Sequence, residues 1–235
     1  MAGRWITLKV ESADMRCYVA EPTGAGPHPG VAVAMHGIGV DAWMERTCER
    51  FAGAGYAAAC SDLFHREGPN PPKEWGPKIK NLRDANIIKD MNAAIAWLQA
   101  NKAVRRDRIG VTGYCMGGRV SYLMAATNPA LKAAAVYYGG GIKNPWGDPP
   151  TPFDRTKDIA CPVLGLFGEQ DTNPSPADVK DFDAALTRLG KRHEFHIYQG
   201  VGHAFMMEER PGFKQDVSDD AWQKTMTWFG KYLKA

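Results

Sequence analysis

Gly113-Tyr114-Cys115-Met116-Gly117-Gly118 is the stretch that decides the fold. It lies between Arg108–Thr112, which reads as a buried strand, and a helical segment that starts around Met116. The pattern Gly-x-nucleophile-x-Gly describes a strand that turns into a helix within a residue or two, with the nucleophile held in a strained backbone conformation. Glycine is required on both sides, because a β-carbon two positions before or after the nucleophile would collide with the neighbouring chain. The same turn puts Cys115 at a helix N-terminus, where free N–H groups and the helix dipole favour a thiolate and a developing oxyanion.

Outward from this turn, strand-like and helix-like patterns alternate. Upstream come two short strands near Ile6–Val10 and Met15–Ala20, a buried strand Gly30–Met35, a helix near Ala42–Gly53 and a buried strand Tyr56–Ser61. A long amphipathic helix follows, with Ile87, Met91, Ile95 and Leu98 at helical spacing. Downstream lie strands Ala133–Tyr137 and Pro162–Phe167, a helix Ala177–Leu189 capped by Gly190, and a last strand Glu194–Tyr198. The closing helix carries Trp222, Met226, Phe229 and Leu233 on one stripe. This order predicts an α/β protein with a mostly parallel sheet of about eight strands and helices on both faces, linked by helical crossovers after the first two or three strands. Its 235 residues fit one domain. Two proline-rich stretches, Asp62–Pro77 and Gly139–Asp158, are expected to be non-helical; they are either pocket walls or stiffened surface loops.

Composition narrows the function. Lys plus Arg number 29 against 26 Asp plus Glu, a formal charge of +3, without the basic blocks of a nucleic-acid binder. No signal-like N-terminus and no run of 18 apolar residues is present, so the expectation is a soluble cytoplasmic protein with a small-molecule partner and no membrane. Five cysteines, Cys17, Cys48, Cys60, Cys115 and Cys161, show no ligand spacing, which argues against a disulfide framework or a structural metal. No cofactor is expected.

The partners of Cys115 follow in the order nucleophile, acid, histidine. Asp171 lies just beyond the seventh strand, with Glu169 as the alternative acid, and His203 just beyond the last, between Gly202 and Ala204. A thiol is mostly protonated near neutral pH, so Cys115 needs a base, and a histidine suits that task. Asp171 would fix its tautomer. The backbone N–H groups of Met116 and Gly37 are expected to hold the oxyanion. His193 and His196 sit within a strand, and His28 and His65 in proline-rich loops, with no catalytic partner implied.

From end to end the chain resembles the dienelactone hydrolase (carboxymethylenebutenolidase) family. The resemblance is carried by Gly113-Tyr114-Cys115-Met116-Gly117-Gly118, Gly55-Tyr56-Ala57-Ala58 with Asp62-Leu63, Tyr137-Tyr138-Gly139 and Gly202-His203-Ala204-Phe205. It implies an α/β-hydrolase fold with a cysteine nucleophile, usually monomeric and without metal, whose members open enol-lactones. Two positions depart from the best-known members: His36 stands where they carry a glutamate, and Met206-Met207 follow where they use an arginine for the substrate carboxylate. His36 either orients the oxyanion loop or is a satisfied core histidine. Lys73, Lys78, Arg83 and Lys143 are the candidates for a replacement cation, each otherwise a solvated surface residue. His36, Tyr138, Trp146 and Phe205 are expected to line the substrate site. The expected activity is cleavage of an activated ester or enol-lactone through an acyl-cysteine; the alternatives are a broad carboxylesterase, a thioesterase, or a binding protein that retains the fold.

Overall fold

An antiparallel hairpin opens the chain: β1 (Arg4–Val10) pairs with β2 (Ala13–Ala20) around Glu11, which has φ 54°. The computed structural model describes residues 3–67 and 74–235. After the hairpin come β3 (His28–Ala34), α1 (Ala42–Gly53), β4 (Ala57–Ser61), α2 (Trp75–Asn81), α3 (Asp84–Ala100) and β5 (Val104–Tyr114). The second half runs α4 (Met116–Thr127), β6 (Ala133–Tyr137), β7 (Val163–Gly168), α5 (Pro176–Arg188), β8 (His193–Tyr198) and α6 (Gln215–Phe229). The sheet order is β1-β2-β4-β3-β5-β6-β7-β8. β2 meets β4 antiparallel, and every pairing from β4 onward across the sheet is parallel.

β4, β6 and β7 are buried at every position, so they read as continuous apolar runs rather than as alternating ones. α1 and α6 pack together through Phe51 against Trp222 and Phe229. α3, α4 and α5 form the other layer, joined by Asn128 to Asn92 at 2.8 Å and by Tyr122 against Phe182. Among the described residues, no helix is long and apolar enough to cross a membrane.

Three elements differ from the sequence expectation. α2 begins inside the first proline-rich stretch, with Pro77 in its opening turn, where a missing N–H costs no helical hydrogen bond. The connection from β6 to β7 contains only a 3-10 turn, Asp154–Asp158, which departs from the expected run of helical crossovers and agrees with the non-helical reading of Gly139–Asp158. On the closing helix, the buried positions are Ser218, Ala221, Thr225, Trp228 and Phe229, while Trp222 and Met226 are half-buried. A π-helical segment, Gly230–Lys234, then rotates Leu233 into the core.

Candidate active site

Close approach of three strand ends builds the turn at Cys115. A β-carbon on Gly113 would lie 2.2 Å from the carbonyl oxygen of Gly117, and one on Gly117 would lie 2.1 Å from that of Ala34. Cys115 itself adopts φ 56° and ψ −117°, a conformation that costs a non-glycine residue about 1–3 kcal/mol. Its N–H donates to Tyr137 O at 3.1 Å, which ties the apex to β6.

The acid and the imidazole come from neighbouring loops. A β-carbon on Gly168 would sit 2.5 Å from the carbonyl oxygen of Gly202, so the ends of β7 and β8 are pressed together. Asp171 is buried; its Oδ1 accepts the N–H of Asn173 at 2.9 Å and its Oδ2 lies 2.7 Å from His203 Nδ1. Of the two acids, Asp171 is the one paired with His203, while Glu169 accepts the N–H of Gly200 at 3.0 Å. Tyr138, at φ 36°, presents its ring to the imidazole with centroids 5.0 Å apart.

Burial pushes the Cys115 thiol up, but a hydrogen bond and charge attraction from His203, with N–H bonds from Met116 and Gly37, hold it below its ordinary value. Burial by itself would lower His203, but its bonds to Asp171 and Cys115 raise it to about 10. The two shifts together favour a thiolate beside an imidazolium. The N–H groups expected at the oxyanion site thus converge on the sulfur.

Both ring nitrogens of His36 are engaged inside the protein: Nδ1 accepts the N–H of Ile38 at 3.2 Å and Nε2 lies 3.1 Å from Asp41 Oδ1. The proton therefore sits on Nε2, and the ring braces the loop that carries Gly37.

A cleft of about 630 Å³ opens onto Cys115, His203, Gly37, Trp146 and the rim of His36, a size suited to a small organic substrate. Tyr138 and Phe205 do not line it; both are fully buried and meet edge to face with centroids 5.0 Å apart, Tyr138 lying against His203. Of the cations named from sequence, Lys78 lies over Phe64, Arg83 donates to the carbonyls of Lys80 and Leu82, and Lys143 pairs with Asp178 and Asp181. None of the three lines the cleft, and Lys73 is outside the described residues. Arg210 does line it. Arg210 carries no local signal in the sequence: it reaches the cleft because the chain beyond His203 returns to its rim at Arg210, Pro211 and Gly212.

A mostly parallel sheet with a strained turn at Cys115 after β5, an acid after β7 and a histidine after β8 defines an α/β-hydrolase fold. The chain belongs to the dienelactone hydrolase family, whose model matches residues 15–233, and it is a hydrolase. It is 34% identical over 233 residues to a Salmonella typhimurium protein named "Putative carboxymethylenebutenolidase", covering 96% of this chain and 86% of that protein. A Bradyrhizobium protein named "Probable 2-oxo-3-(5-oxofuran-2-ylidene)propanoate lactonase" is 29% identical over 99% of this chain and 96% of its own length. Among solved structures, the "Putative Dienelactone Hydrolase" of Klebsiella pneumoniae superposes with a TM-score of 0.87 at 31% identity, covering 99% of this chain and all of that one.

Proposed function

We propose that the protein hydrolyses an activated carboxylic ester or enol-lactone through an acyl-cysteine formed on Cys115, with His203 as acid and base and Asp171 holding the imidazole. The observation that carries this reading is the placement of Cys115, at φ 56° and ψ −117°, in the same cleft as His203, whose Nδ1 lies 2.7 Å from Asp171 Oδ2.

The thiolate attacks the carbonyl carbon, forming the S–C bond, and the carbonyl oxygen becomes an oxyanion that the N–H groups of Gly37 and Met116 receive. As the tetrahedral centre collapses, the C–O bond breaks and the departing oxygen takes its proton from the His203 imidazolium. In a lactone, that oxygen stays on the acyl chain. Neutral His203 then removes a proton from water, which attacks the thioester; the acid leaves and the thiolate and imidazolium return. Sulfur is itself a good leaving group, so the first step goes forward only when the departing oxygen is a stabilised anion such as an enolate or aryloxide. The name of the Bradyrhizobium relative supports the lactone arm, and Arg210 offers a partner to a substrate carboxylate. The same reading treats residues 1–235 as one catalytic domain working as a cytoplasmic monomer on a small molecule.

The test is an active-site titration. Acid quenching during turnover of p-nitrophenyl acetate or an enol-lactone should trap one acyl group on the peptide containing Cys115, and one equivalent of iodoacetamide at that residue should abolish turnover. Full activity in the alkylated protein overturns the proposal.

A further inference from the structure

Arg119 takes no part in the chemistry above, yet it is the largest fully buried side chain among the described residues. It stands in the first turn of α4, just beyond Cys115. Its guanidinium grips Asp84, the first residue of α3, through Nη1 to Oδ1 at 2.6 Å and Nη2 to Oδ2 at 2.9 Å. The remaining bonds go to the irregular segment after β6: Nε donates to Gly141 O at 3.0 Å and Nη2 to Asn144 O at 2.7 Å. The guanidinium carbon lies 3.9 Å from the ring centroid of Trp146. Asp84 holds the same residue by its backbone, accepting the N–H of Trp146 at 3.2 Å and donating its own N–H to Trp146 O at 2.7 Å.

Gly140, Gly141, Asn144 and Trp146 all line the cleft. A buried ion pair contributes little net stability compared with apolar packing, so its bonding pattern is the informative feature. Here nearly all its directional bonds fix one wall of the cleft. Lysine could neutralise Asp84 but could not span two carbonyls while stacking on an indole.

We propose that the Arg119–Asp84 pair is a positioning device that holds Trp146 as the size-limiting wall of the cleft, so that Arg119 governs which acyl groups reach Cys115 without touching them. This rests on the hydrolase reading only for the identity of the natural ligand. Access to Cys115 can be read without turnover.

The experiment compares rates of Cys115 alkylation by N-methylmaleimide and by N-naphthylmaleimide, followed by intact mass. Cys17, Cys48, Cys60 and Cys161 are buried, and a Cys115→Ala control identifies the labelled site. Trp146→Ala and Arg119→Lys should each raise the bulky-to-small rate ratio by about 10-fold, and the double variant should not exceed the larger single effect, because both changes act on one wall. Asp84→Asn, with Arg119 retained, serves if Arg119→Lys does not fold. A folded Arg119→Lys or Asp84→Asn protein with the wild-type ratio, or effects that multiply in the double variant, overturns the proposal. Absence of ester hydrolysis would sink the proposed function while leaving this ratio readable.

Discussion

One oxygen of Asp41 joins two structures: Oδ1 lies 3.1 Å from Nε2 of His36 and accepts the N–H of Met44 at 3.1 Å as the N-cap of α1. The loop that carries Gly37 is thereby tied to the start of a helix. His36→Ala should release the Gly37 N–H and lower kcat by up to about 10²-fold, the cost of losing one oxyanion donor, with much less change in KM. Asp41→Ala should lower kcat in the same way and also remove about 1 kcal/mol of stability with the lost cap. Steady-state kinetics and urea unfolding of both variants check this; an unchanged kcat in His36→Ala rules out the brace.

The thiol and imidazole make opposite contributions to stability as pH changes. His203, raised from 6.5 to about 10, stabilises the native state fully below 6.5 and loses that contribution as pH rises through about 10. Cys115, lowered from 9.0, stabilises it above 9.0 and loses that contribution as pH falls through its lowered value. At any pH above both 6.5 and that lowered value but below 9.0, each state holds one proton, on His203 when native and on Cys115 when unfolded, so the pair adds no slope. From 9.0 to about 10 only the native state holds one, and stability should fall. Unfolding free energies across pH should show this decline in the wild type but not in Cys115→Ala/His203→Ala.

Two glycines separate steric need from mere tolerance. Gly117→Ala forces a β-carbon to 2.1 Å from Ala34 O and should destabilise the protein by more than about 4 kcal/mol or leave it insoluble. Gly53→Ala, on an exposed position of α1 with nothing within 4 Å, should stabilise it by about 0.5–1 kcal/mol. Thermal melts of the pair decide the matter, and a soluble Gly117→Ala protein with a wild-type melting temperature would contradict it.

Arg210 sits exposed at the mouth of the cleft. Arg210→Gln should raise KM about 10-fold for a carboxylate-bearing lactone and far less for a neutral aryl ester, with the difference shrinking as salt is added. Equal effects on both substrates would remove Arg210 from substrate recognition.

The sites legible in the sequence are those with a local signature. Cys115 follows directly on β5, Asp171 and His203 lie in the loops just beyond β7 and β8, and the parallel order brings these strand ends to one edge, where Asp171 meets His203. Tyr138 and Phe205 lie outside the cleft because sharing a loop with a cleft residue does not fix which way a ring points; both fill the core, Tyr138 against His203. Asp84 and Arg119, 35 residues apart, carry no local mark of their pairing. The missing helical crossover before β7 was legible in the prolines of Gly139–Asp158, which exclude a regular helix there, but the path the chain takes instead was not.

The sequence by itself determined the alternation of strands and helices and the tight turn at Cys115, because backbone sterics and hydrophobic periodicity act over a few neighbouring residues. Tertiary structure decided which ionisable groups lose water and which partners they meet. That is why the charge state at Cys115 and His203, the brace on His36 and the wall held by Arg119 emerge only in the folded chain: solvation and electrostatics at each are set by atoms from distant segments.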